Sequence, residues 1–543
     1  RPELAETSFK NVIETTPDSE TAQLRLASFY QRRNQLAEAE ATLQKWASGY
    51  PKSERPHIHL GDLFNWLGNR DKAIASYRQA TELNASSVVA RDKLISLYLD
   101  TGNLSEAEPK VKAILNKNSG DLIGRFFSAR ILLAKESLDE ALTLFQSLLK
   151  DEPQFAPAYY FQGVAHMKKR QPSQARGAFT QAVKLNPSMP EAHTSLAELL
   201  LAESSLDLAL EHAQAAIQLN PRNLQAAVIA GDAYLRKGDL AKSKKVYEAI
   251  VKALPKEPLG PYRLGLVAHV EKNDTKALAY FEEALAIKPA AIEPVTQIAL
   301  IKVAQGKATE ARERVIRQLE VAPTSPFLYN LLGQLWMTGN DTGRAETAFK
   351  KAIDLDNSLL QAYMNLGQVY FLGGKTDQAV KEYEAVLGKD PQTIQAQMML
   401  GIIHANRKEY DQAKSRYEKI LSINPRFAPA ANNLAWLIVE QGGNLDMALN
   451  YAQTAREQKP DDPSIADTMG WLYYKKNAYL LASSLLKEAV EKLPTNPLVQ
   501  FHLGMAQYKN GDNVGAKQSL QSALKLSQDF AGSEEARKIL SEL

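Results

Sequence analysis

The sequence offers few side chains of the kinds that catalyse reactions, and its eight histidines illustrate this. None belongs to a His-Glu-x-x-His motif, and His57 and His59 would place their imidazoles on different faces of a helix. The absence of cysteine excludes disulfides, thiolate metal ligands and cysteine nucleophiles. The phosphate-loop, dinucleotide-binding and serine-nucleophile motifs are also absent. We therefore predict that the chain is not an enzyme and has no cofactor or metal.

Side chains suited to recognition are more prominent than side chains suited to catalysis. Trp436 and Trp471 stand in similar sequence surroundings, with Asn432, Asn433 and Asp467 beside them. Exposed aromatic side chains are frequent hot spots of peptide binding, and an aromatic face can also stack on a sugar ring. Side-chain amides can hold an extended peptide backbone by hydrogen bonds. These residues indicate binding of a peptide or a polysaccharide.

A repeat of 34 residues must position these side chains. Counting from Gly367 in both directions, with one extra residue after position 435, gives 15 slots that hold nine Gly, five Ala and Ile95. An alanine follows almost every slot after 12 residues, and a proline recurs once in most units. Apolar residues between the prolines are spaced three and four apart, which is the period of an amphipathic helix. Because proline ends a helix, each unit is predicted to be two helices.

The pattern resembles the tetratricopeptide repeat, whose hallmark is an aromatic, Leu-Gly, an aromatic, Ala, an aromatic and Pro. One unit of this chain shows it as Tyr363, Leu366, Gly367, Tyr370, Ala379, Tyr383 and Pro391. The resemblance implies an all-α fold, a right-handed superhelical solenoid of about 15 antiparallel helix pairs. It also implies that the first helix of each pair forms a concave inner wall.

The repeat divides the chain into three parts. Residues 1–17 read as the second half of a truncated repeat, residues 18–528 as an array of 15 units, and residues 529–543 as a C-terminal capping helix with Ser533 at its N-cap. The third unit, around 86–119, is irregular because it has Ile95 in the small slot and Pro109 inside its second helix. The extra residue of one unit is expected to lengthen the turn at 441–444 and to leave both helices intact.

The resemblance implies that the inner wall is formed three residues before, one after and four after each small slot. This stripe is mixed near the start, as in Asp62, Asn65, Asp92 and Ser96, and becomes apolar and aromatic toward the end. The alternative for the large side chains is packing between first helices. The predicted ligand-binding residues are Met364, Asn365, Met398, Asn432, Asn433, Trp436, Asp467, Trp471, Tyr474 and Phe501.

Composition limits the classes of partner. The 65 Lys and Arg residues nearly balance the 62 Asp and Glu residues, and the formal net charge is +3. There is thus no global attraction to nucleic acid or to anionic membranes. No apolar run in the sequence is long enough to span a bilayer. We predict protein or peptide partners, no nucleic acid, and membrane attachment only through an anchor upstream of Arg1.

A narrower resemblance concerns the last units. The segments AANNLAWLIVEQGGNLDMALNYAQTA (430–455) and ADTMGWLYYKKNAYLLASSLLKEAV (466–490) are similar to the ends of bacterial tetratricopeptide lipoproteins from exosortase (PEP-CTERM) and exopolysaccharide systems. The resemblance implies a periplasmic scaffold, attached to the outer membrane, in polysaccharide or protein export. Two alternatives stay open: direct guidance of an exported polysaccharide by the aromatic wall, and a cytoplasmic assembly or chaperone adaptor.

Overall fold

The structure, a computed structural model, describes residues 2–543, with side chains from Leu4 onward. This part of the chain contains 32 α-helices and no strand, which confirms the predicted all-α class. Contacts divide it into two compact units, unit 1 ending at Pro255 and unit 2 beginning at Lys256. None of the helices in residues 2–543 has the length and apolar character required to span a bilayer.

Unit 1 holds the first fifteen helices. They are α1 (Pro2–Thr15), α2 (Glu20–Arg32), α3 (Leu36–Gly49), α4 (Arg55–Trp66), α5 (Arg70–Leu83), α6 (Val88–Asp100), α7 (Leu104–Lys117), α8 (Leu122–Ala134), α9 (Leu138–Asp151), α10 (Ala156–Lys168), α11 (Pro172–Leu185), α12 (Pro190–Ala202), α13 (Leu206–Leu219), α14 (Leu224–Arg236) and α15 (Leu240–Ala253).

Unit 2 holds the other seventeen. They are α16 (Leu259–Val270), α17 (Asp274–Ile287), α18 (Ile292–Ala304), α19 (Ala308–Val321), α20 (Pro326–Met337), α21 (Thr342–Leu355), α22 (Leu360–Leu372), α23 (Thr376–Lys389), α24 (Ile394–Asn406), α25 (Tyr410–Ile423), α26 (Ala428–Glu440), α27 (Leu445–Gln458), α28 (Pro463–Lys475), α29 (Tyr479–Lys492), α30 (Pro497–Lys509), α31 (Asn513–Leu526) and α32 (Ser533–Glu542).

Within each unit, helices that follow one another in the chain pack as antiparallel neighbours. First helices of successive pairs also touch, as α12 touches α14 in unit 1 and α28 touches α30 in unit 2. Side chains on first helices therefore form one wall of each unit, and this wall carries the residues predicted to bind a ligand.

The small residue of each repeat is explained by the aromatic ring that covers it. An ideal Cβ on Gly163 would lie 2.5 Å from Cε1 of Phe179, and one on Gly231 would lie 2.5 Å from Cζ of Tyr247. A real side chain on either glycine would therefore displace the ring. The irregular third unit has Ile95 in this slot, and both Ile95 and its counterpart Val111 are buried. A smaller partner leaves room for the larger residue.

The irregularities predicted from sequence fall in ordered helices and turns. Pro109 lies inside α7, which nevertheless runs unbroken from Leu104 to Lys117. The turn at 441–444 is one residue longer than the turn at 373–375, and its flanking helices keep 13 and 14 residues, as expected. The expected cap of α32 was wrong: Gly532, with φ of 99°, holds the N-cap position and Ser533 is the first helical residue.

Candidate functional site

A groove on the inner wall of unit 1 combines aromatic and charged side chains in its lining. It has a volume of about 940 Å³, at the upper end of the range of small-ligand sites. Five successive first helices, from α4 to α12, contribute to it, and the turn between α13 and α14 closes it. Its main lining residues are Asp62, Asn65 and Trp66 of α4, Asp92 and Ser96 of α6, Phe126 and Arg130 of α8, Tyr160 and Phe161 of α10, and Arg222 of the α13–α14 turn. We call this recess the unit-1 groove.

Sequence analysis located this stripe but did not place the candidate site on it. Asp62, Asn65, Asp92 and Ser96 occupy the positions that the family resemblance assigned to the inner wall, and all four line the groove. The available signal was the same stripe in the next two units. There it reads Phe126 and Arg130, and then Tyr160.

The floor of the unit-1 groove is a cluster of aromatic rings. Phe126 is buried and contacts Phe155 edge-on at 5.1 Å between ring centroids and Phe161 at 5.6 Å. Tyr160 and Phe161 are half-buried and lie 4.9 Å apart. Edge-to-face packing of this kind fixes ring orientation. The half-buried rings give the groove a rigid apolar surface that is still partly accessible.

Arg130 is the buried charge of the groove. Its guanidinium carbon lies 4.2 Å from the centroid of Phe161, and its Nη atoms donate to Ser96 Oγ at 2.9 Å and Asp100 Oδ1 at 2.6 Å. Burial lowers the pKa of Arg130, and the Asp100 carboxylate opposes that shift. A guanidinium held between a ring and a carboxylate is positioned precisely. It joins α6, α8 and α10 into one surface.

A contact between Trp66 and Arg222 closes the groove. The two residues come from the first and the last parts of the chain that line it. The Arg222 guanidinium carbon lies 4.6 Å from the centroid of the Trp66 ring, within the range of a cation–π contact. Trp66 ends α4, whereas Arg222 stands on the turn between α13 and α14. Because Arg222 is exposed and on a short turn, displacing it costs little compared with displacing a core residue.

Two carboxylates on the groove wall differ in electrostatic surroundings. Burial raises the pKa of Asp92, which the neighbouring Arg91 opposes. Burial also acts to raise the pKa of Asp62, but His59 and Lys93 outweigh it and hold that pKa below its ordinary value. Lys93 Nζ donates to Asp62 Oδ1 at 2.6 Å, and the Tyr77 hydroxyl donates to the same oxygen at 2.7 Å. Asp62 is therefore held by donors from α5 and α6, whereas Asp92 accepts, among the described residues, only from its neighbour Arg91, whose Nε donates to Asp92 Oδ1 at 2.9 Å.

Half of the predicted ligand-binding residues gather in the last repeats of unit 2, around His502. The His502 ring stacks on Trp471 at 4.1 Å and lies 5.5 Å from Trp436. Its Nδ1 lies 2.8 Å from Asp467 Oδ1. Trp471 is 6% exposed, whereas Trp436 is half-buried. His502 was not among the predicted residues. It lies two residues before the small residue Gly504, outside the three positions assigned to the inner wall, so the sequence gave no signal of this contact.

Other predicted aromatic residues here also pack against each other. Tyr474 is half-buried and stacks on Trp471 at 4.6 Å with nearly parallel rings. Phe501 is 3% exposed and contacts Phe530, which follows α31, at 5.8 Å. Little of Phe501 or Trp471 is available to a ligand, so the accessible part of this wall is Trp436 and Tyr474. Whether this wall binds a ligand stays a prediction.

The remaining predicted residues are half-buried and spread over several repeats. Asn365 donates to Asn330 Oδ1 at 2.9 Å, and Asn433 donates to the Tyr417 hydroxyl at 3.4 Å. Oδ1 of Asn432 is buried without a hydrogen-bond partner among the described residues. Met398 packs with the cluster that contains Trp471, whereas Met364 packs with a separate cluster around Leu366. The structure therefore does not unite all ten residues in one site.

Comparison with known families identifies the repeat. Four family models, each described as tetratricopeptide repeat, match most of the chain. One matches residues 93–159, 126–170, 160–224 and 228–292, a second matches 1–59, 338–403 and 406–472, and two others match 55–87 and 498–527. Both units are covered.

Curated relatives match over parts of their length. The chain is 25% identical over 262 residues to human Protein O-mannosyl-transferase TMTC3, covering 47% of this chain and 28% of that protein. It is 22% identical over 290 residues to the BBSome complex member BBS4 of Bos taurus, covering 53% and 49%. It is 27% identical over 150 residues to Anaphase-promoting complex subunit 3 of Schizosaccharomyces pombe, covering 28% and 23%. The chain thus spans at most about half the length of these relatives.

Among solved structures, the chain is similar to one in the crystal structure of the APC/C hetero-tetramer Cut9-Hcn1. The sequence identity is 16% and the TM-score 0.41, over 90% of this chain and 96% of that one. A chain from the structure titled functional characterization of Pseudomonas aeruginosa pilF matches with 19% identity and a TM-score of 0.35, over 39% and 96%.

Proposed function

The chain belongs to the tetratricopeptide repeat family, whose arrays serve as protein-interaction scaffolds, and we propose that it is a non-catalytic scaffold that binds an extended segment of a partner protein in the unit-1 groove. The observation that carries the proposal is the contact between Trp66 and Arg222 above the aromatic floor. It makes the groove a recess bounded on several sides. A bounded recess with an apolar floor buries more of a peptide than an open wall does.

The chemistry of the groove suits an amphipathic peptide segment. Tyr160 and Phe161 offer half-buried rings against which an apolar side chain can pack. Asn65 and Asp92 lie on the wall, where the amide can donate or accept hydrogen bonds of a peptide backbone and the carboxylate can accept them. Aromatic residues and arginine are the types most enriched at interface hot spots. The groove has both.

We propose further that the partner belongs to a bacterial envelope system for exopolysaccharide or protein export. The support is the resemblance of two segments in the last repeats, 430–455 and 466–490, to bacterial tetratricopeptide lipoproteins of such systems. The proposed location is the periplasm. Protease protection of the native protein tests the location. Degradation in spheroplasts but not in intact cells supports the periplasm, and protection in both overturns it.

Photo-crosslinking at the groove tests the binding proposal. A photoreactive amino acid replaces Asn65 in the groove, and in a second variant it replaces Leu372, which is 63% exposed on unit 2. We expect a protein adduct at position 65 that is missing at position 372. A glycan adduct at position 65 supports direct polysaccharide handling instead, and no adduct above the Leu372 control overturns the proposal.

A pair of tryptophan variants separates binding from folding. Trp66→Ala removes the closing contact of the groove and is expected to abolish the position-65 adduct. Trp336→Ala is the matched control, because Trp336 is also half-buried and has Arg312 and Arg344 over its ring at 4.8 and 4.6 Å, but lies outside the groove. We expect the control to keep the adduct. Equal loss in both variants would mean that a general loss of stability is responsible.

A further inference from the structure

The second helix of each repeat starts at one edge of the array, and its first turn is usually polar there. The second and third residues of these helices are polar or small, as in Ser173 and Gln174 of α11 and Asp377 and Gln378 of α23. In the twelve second helices from α3 to α25, Leu208 is the one large apolar residue at these two positions. This edge is therefore built for contact with water over most of the chain.

The last repeats break that pattern. The change starts with Met447 in α27, and the same positions then hold Leu480 and Leu481 in α29 and Val514 in α31. Leu480 and Val514 are each 72% exposed, more than any other large apolar side chain among the described residues, and Leu481 is 54% exposed. Because successive repeats stack in the same orientation, equivalent positions lie along the same edge. We call Leu480, Leu481 and Val514 the C-terminal patch.

The fold gains nothing from the C-terminal patch. An acidic residue in the first turn of a helix interacts favourably with the helix dipole, as Asp139 does in α9 and Asp411 in α25. Neither α29 nor α31 has an acidic residue in its first turn. Large apolar side chains exposed at these positions replace a stabilising choice by one that contacts water. They are suited to contact with something outside the chain.

Lysine side chains surround the C-terminal patch. Lys475 and Lys509 end α28 and α30, the helices that precede α29 and α31, and Lys517 lies three residues after Val514 on the same face of α31. All three are exposed, and none of them forms an ion pair with a carboxylate among the described residues. The ammonium groups of Lys475 and Lys509 lie instead over aromatic rings of their own helices, at 4.7 and 5.7 Å from the ring centroids.

Few carboxylates offset these lysines. Asp512, in the turn before α31, caps that helix and accepts from the backbone N–H of Gly515 at 2.9 Å. Asp446, at the start of α27, pairs with a fourth lysine, Lys476. The surroundings of the patch are therefore positive. The formal net charge of +3 for the whole chain gives no sign of this local excess.

We propose that the C-terminal patch binds the surface of an anionic lipid membrane, with its apolar side chains inserted among the lipids and its lysines at the headgroups. Exposed apolar side chains beside unpaired lysines complement both parts of such a surface. This contact lies on unit 2 and is independent of the unit-1 groove.

The size and charge of the patch favour a lipid surface over a second copy of the chain. Three side chains of this kind offer on the order of 100 Å² each, which is less than half of the roughly 800 Å² that each partner buries in a stable protein interface. A symmetric dimer through this patch would also place the same lysines of two copies against one another. Binding to lipid needs no such area, and a contact of this size is expected to be reversible.

Co-sedimentation of the full chain with vesicles tests the proposal. The probes are vesicles of phosphatidylcholine alone and vesicles of equal parts of phosphatidylcholine and phosphatidylglycerol. We expect binding to the mixed vesicles that weakens as salt is added, because salt screens the lysines. Binding to the neutral vesicles is expected to be at least about tenfold weaker, since each lysine near an anionic surface contributes about fivefold.

Substitutions taken from the chain's own repeats test the apolar contribution. A triple variant combines Leu480→Ser, Leu481→Gln and Val514→Ser, which introduces residues that α11 has at the same positions as Ser173 and Gln174. We expect its affinity for the mixed vesicles to fall at least about tenfold. Circular dichroism should match the wild type, because the replaced side chains are exposed.

Two further variants complete the test. Replacing Lys475, Lys509 and Lys517 by glutamine should remove the preference for the mixed vesicles and leave the helical content unchanged. Leu208→Gln is the matched control, because Leu208 is the third residue of α13 and is 51% exposed on the same kind of edge in unit 1. It should bind the vesicles as the wild type does.

Several outcomes would overturn the proposal. Wild type that binds mixed vesicles no better than the triple variant would show that the patch does not contact lipid, and so would an equal loss in Leu208→Gln. A glutamine variant that keeps the full preference for mixed vesicles would show that the lysines do not recognise the anionic headgroups. A wild type that binds no vesicles but is a dimer in ultracentrifugation, and becomes a monomer in the triple variant, would assign the patch to a second copy of the chain.

Discussion

An ideal Cβ atom on Gly367 would lie 2.7 Å from Cε1 of Tyr383, on the second helix of the same repeat. The same relationship joins seven glycines to an aromatic residue 16 positions later, from Gly61 and Tyr77 to Gly401 and Tyr417. Where the slot holds alanine or isoleucine, the residue that follows it at this spacing is usually smaller, as in Ala299 and Val315. Ala129 with Phe145 is the exception. In most repeats a larger residue at one of the two positions is thus matched by a smaller residue at the other.

This relationship predicts opposite effects for two substitutions in one repeat. Gly367→Ala is expected to destabilise α22 and α23 by about 1–3 kcal/mol, because the Tyr383 ring must move. Gly388→Ala, in α23 with no atom within 4 Å of its Cβ position, is expected to stabilise the helix by about 0.5–1 kcal/mol. Hydrogen exchange of the two helices measures both, because unfolding of a repeat array is not a single transition.

A second substitution checks the cause of the first effect. Adding Tyr383→Leu to Gly367→Ala recreates the pairing of Ala27 with Leu43 and should recover part of the loss. An additive double variant would show that ring displacement is not the source of the cost.

The tyrosines at this slot differ in the partner of their hydroxyl group. Tyr247 donates to Asp232 Oδ1 at 2.6 Å, whereas the buried Tyr383 hydroxyl has no hydrogen-bond partner among the described residues. Burial raises the pKa of Tyr383 to about 12. Tyr247→Phe is therefore expected to destabilise its repeat by about 1.5–3 kcal/mol, since it removes a hydrogen bond to a charged carboxylate. Tyr383→Phe is expected to be neutral or stabilising. Protection factors of α15 and α23 that fall equally would contradict this assignment.

Much of this architecture is predictable from the sequence, because the same residue types recur at the same packing positions in almost every repeat. The slot of Gly367 and the proline spacing give the helix pairs directly, and the irregular Ile95 is accommodated by Val111 in the same volume. The predicted N-cap of α32 was wrong because Gly532 and the serine after it are both residue types that commonly cap a helix. Local propensity does not decide between neighbours.

The sites were less predictable, because they depend on contacts between residues far apart in the chain. Arg222 contacts Trp66 although several repeats separate them in the chain, and the repeat pattern of the sequence does not predict that contact. The aromatic gradient toward the C-terminus was visible, but it does not distinguish a ligand wall from packing. His502 illustrates the difficulty, since it fills the space between Trp436 and Trp471.

Acid is expected to destabilise the repeat formed by α12 and α13, in which Nδ1 of His193 lies 3.0 Å from Nδ1 of His212. Burial, and secondarily His193, lowers the pKa of His212, whereas Glu211 opposes the shift. In the unfolded chain this pKa returns to about 6.5, so the unfolded state binds the proton first as the pH falls. The associated stability is fully present above about pH 6.5 and is lost as the pH falls toward the lower folded pKa. Hydrogen-exchange protection of α12 and α13 in the wild type and in His212→Ala, measured from about pH 7.5 to pH 5, should differ in its pH dependence, with the wild type steeper. Parallel profiles would show that His212 does not contribute.

The C-terminal inner wall makes a prediction that separates a ligand site from packing. Trp471 stacks on His502 and Tyr474 and is 6% exposed, so Trp471→Ala should cost about 3–5 kcal/mol in local stability. Trp436 is half-buried, and Trp436→Ala should cost less.

Fluorescence then reports on binding at Trp436. In a protein whose Trp46, Trp66 and Trp336 are replaced by phenylalanine, only Trp436 and Trp471 emit. A peptide or polysaccharide that occupies the wall should change this emission. It should lose affinity by about 2 kcal/mol or more in Trp436→Ala, the size of an interface hot spot. Hydrogen exchange of α28 and α30 serves as the control, because a ligand residue can be removed without loosening these helices. If both substitutions lower protection there and every binding event survives them, the two tryptophans are packing residues and this wall is not the ligand site.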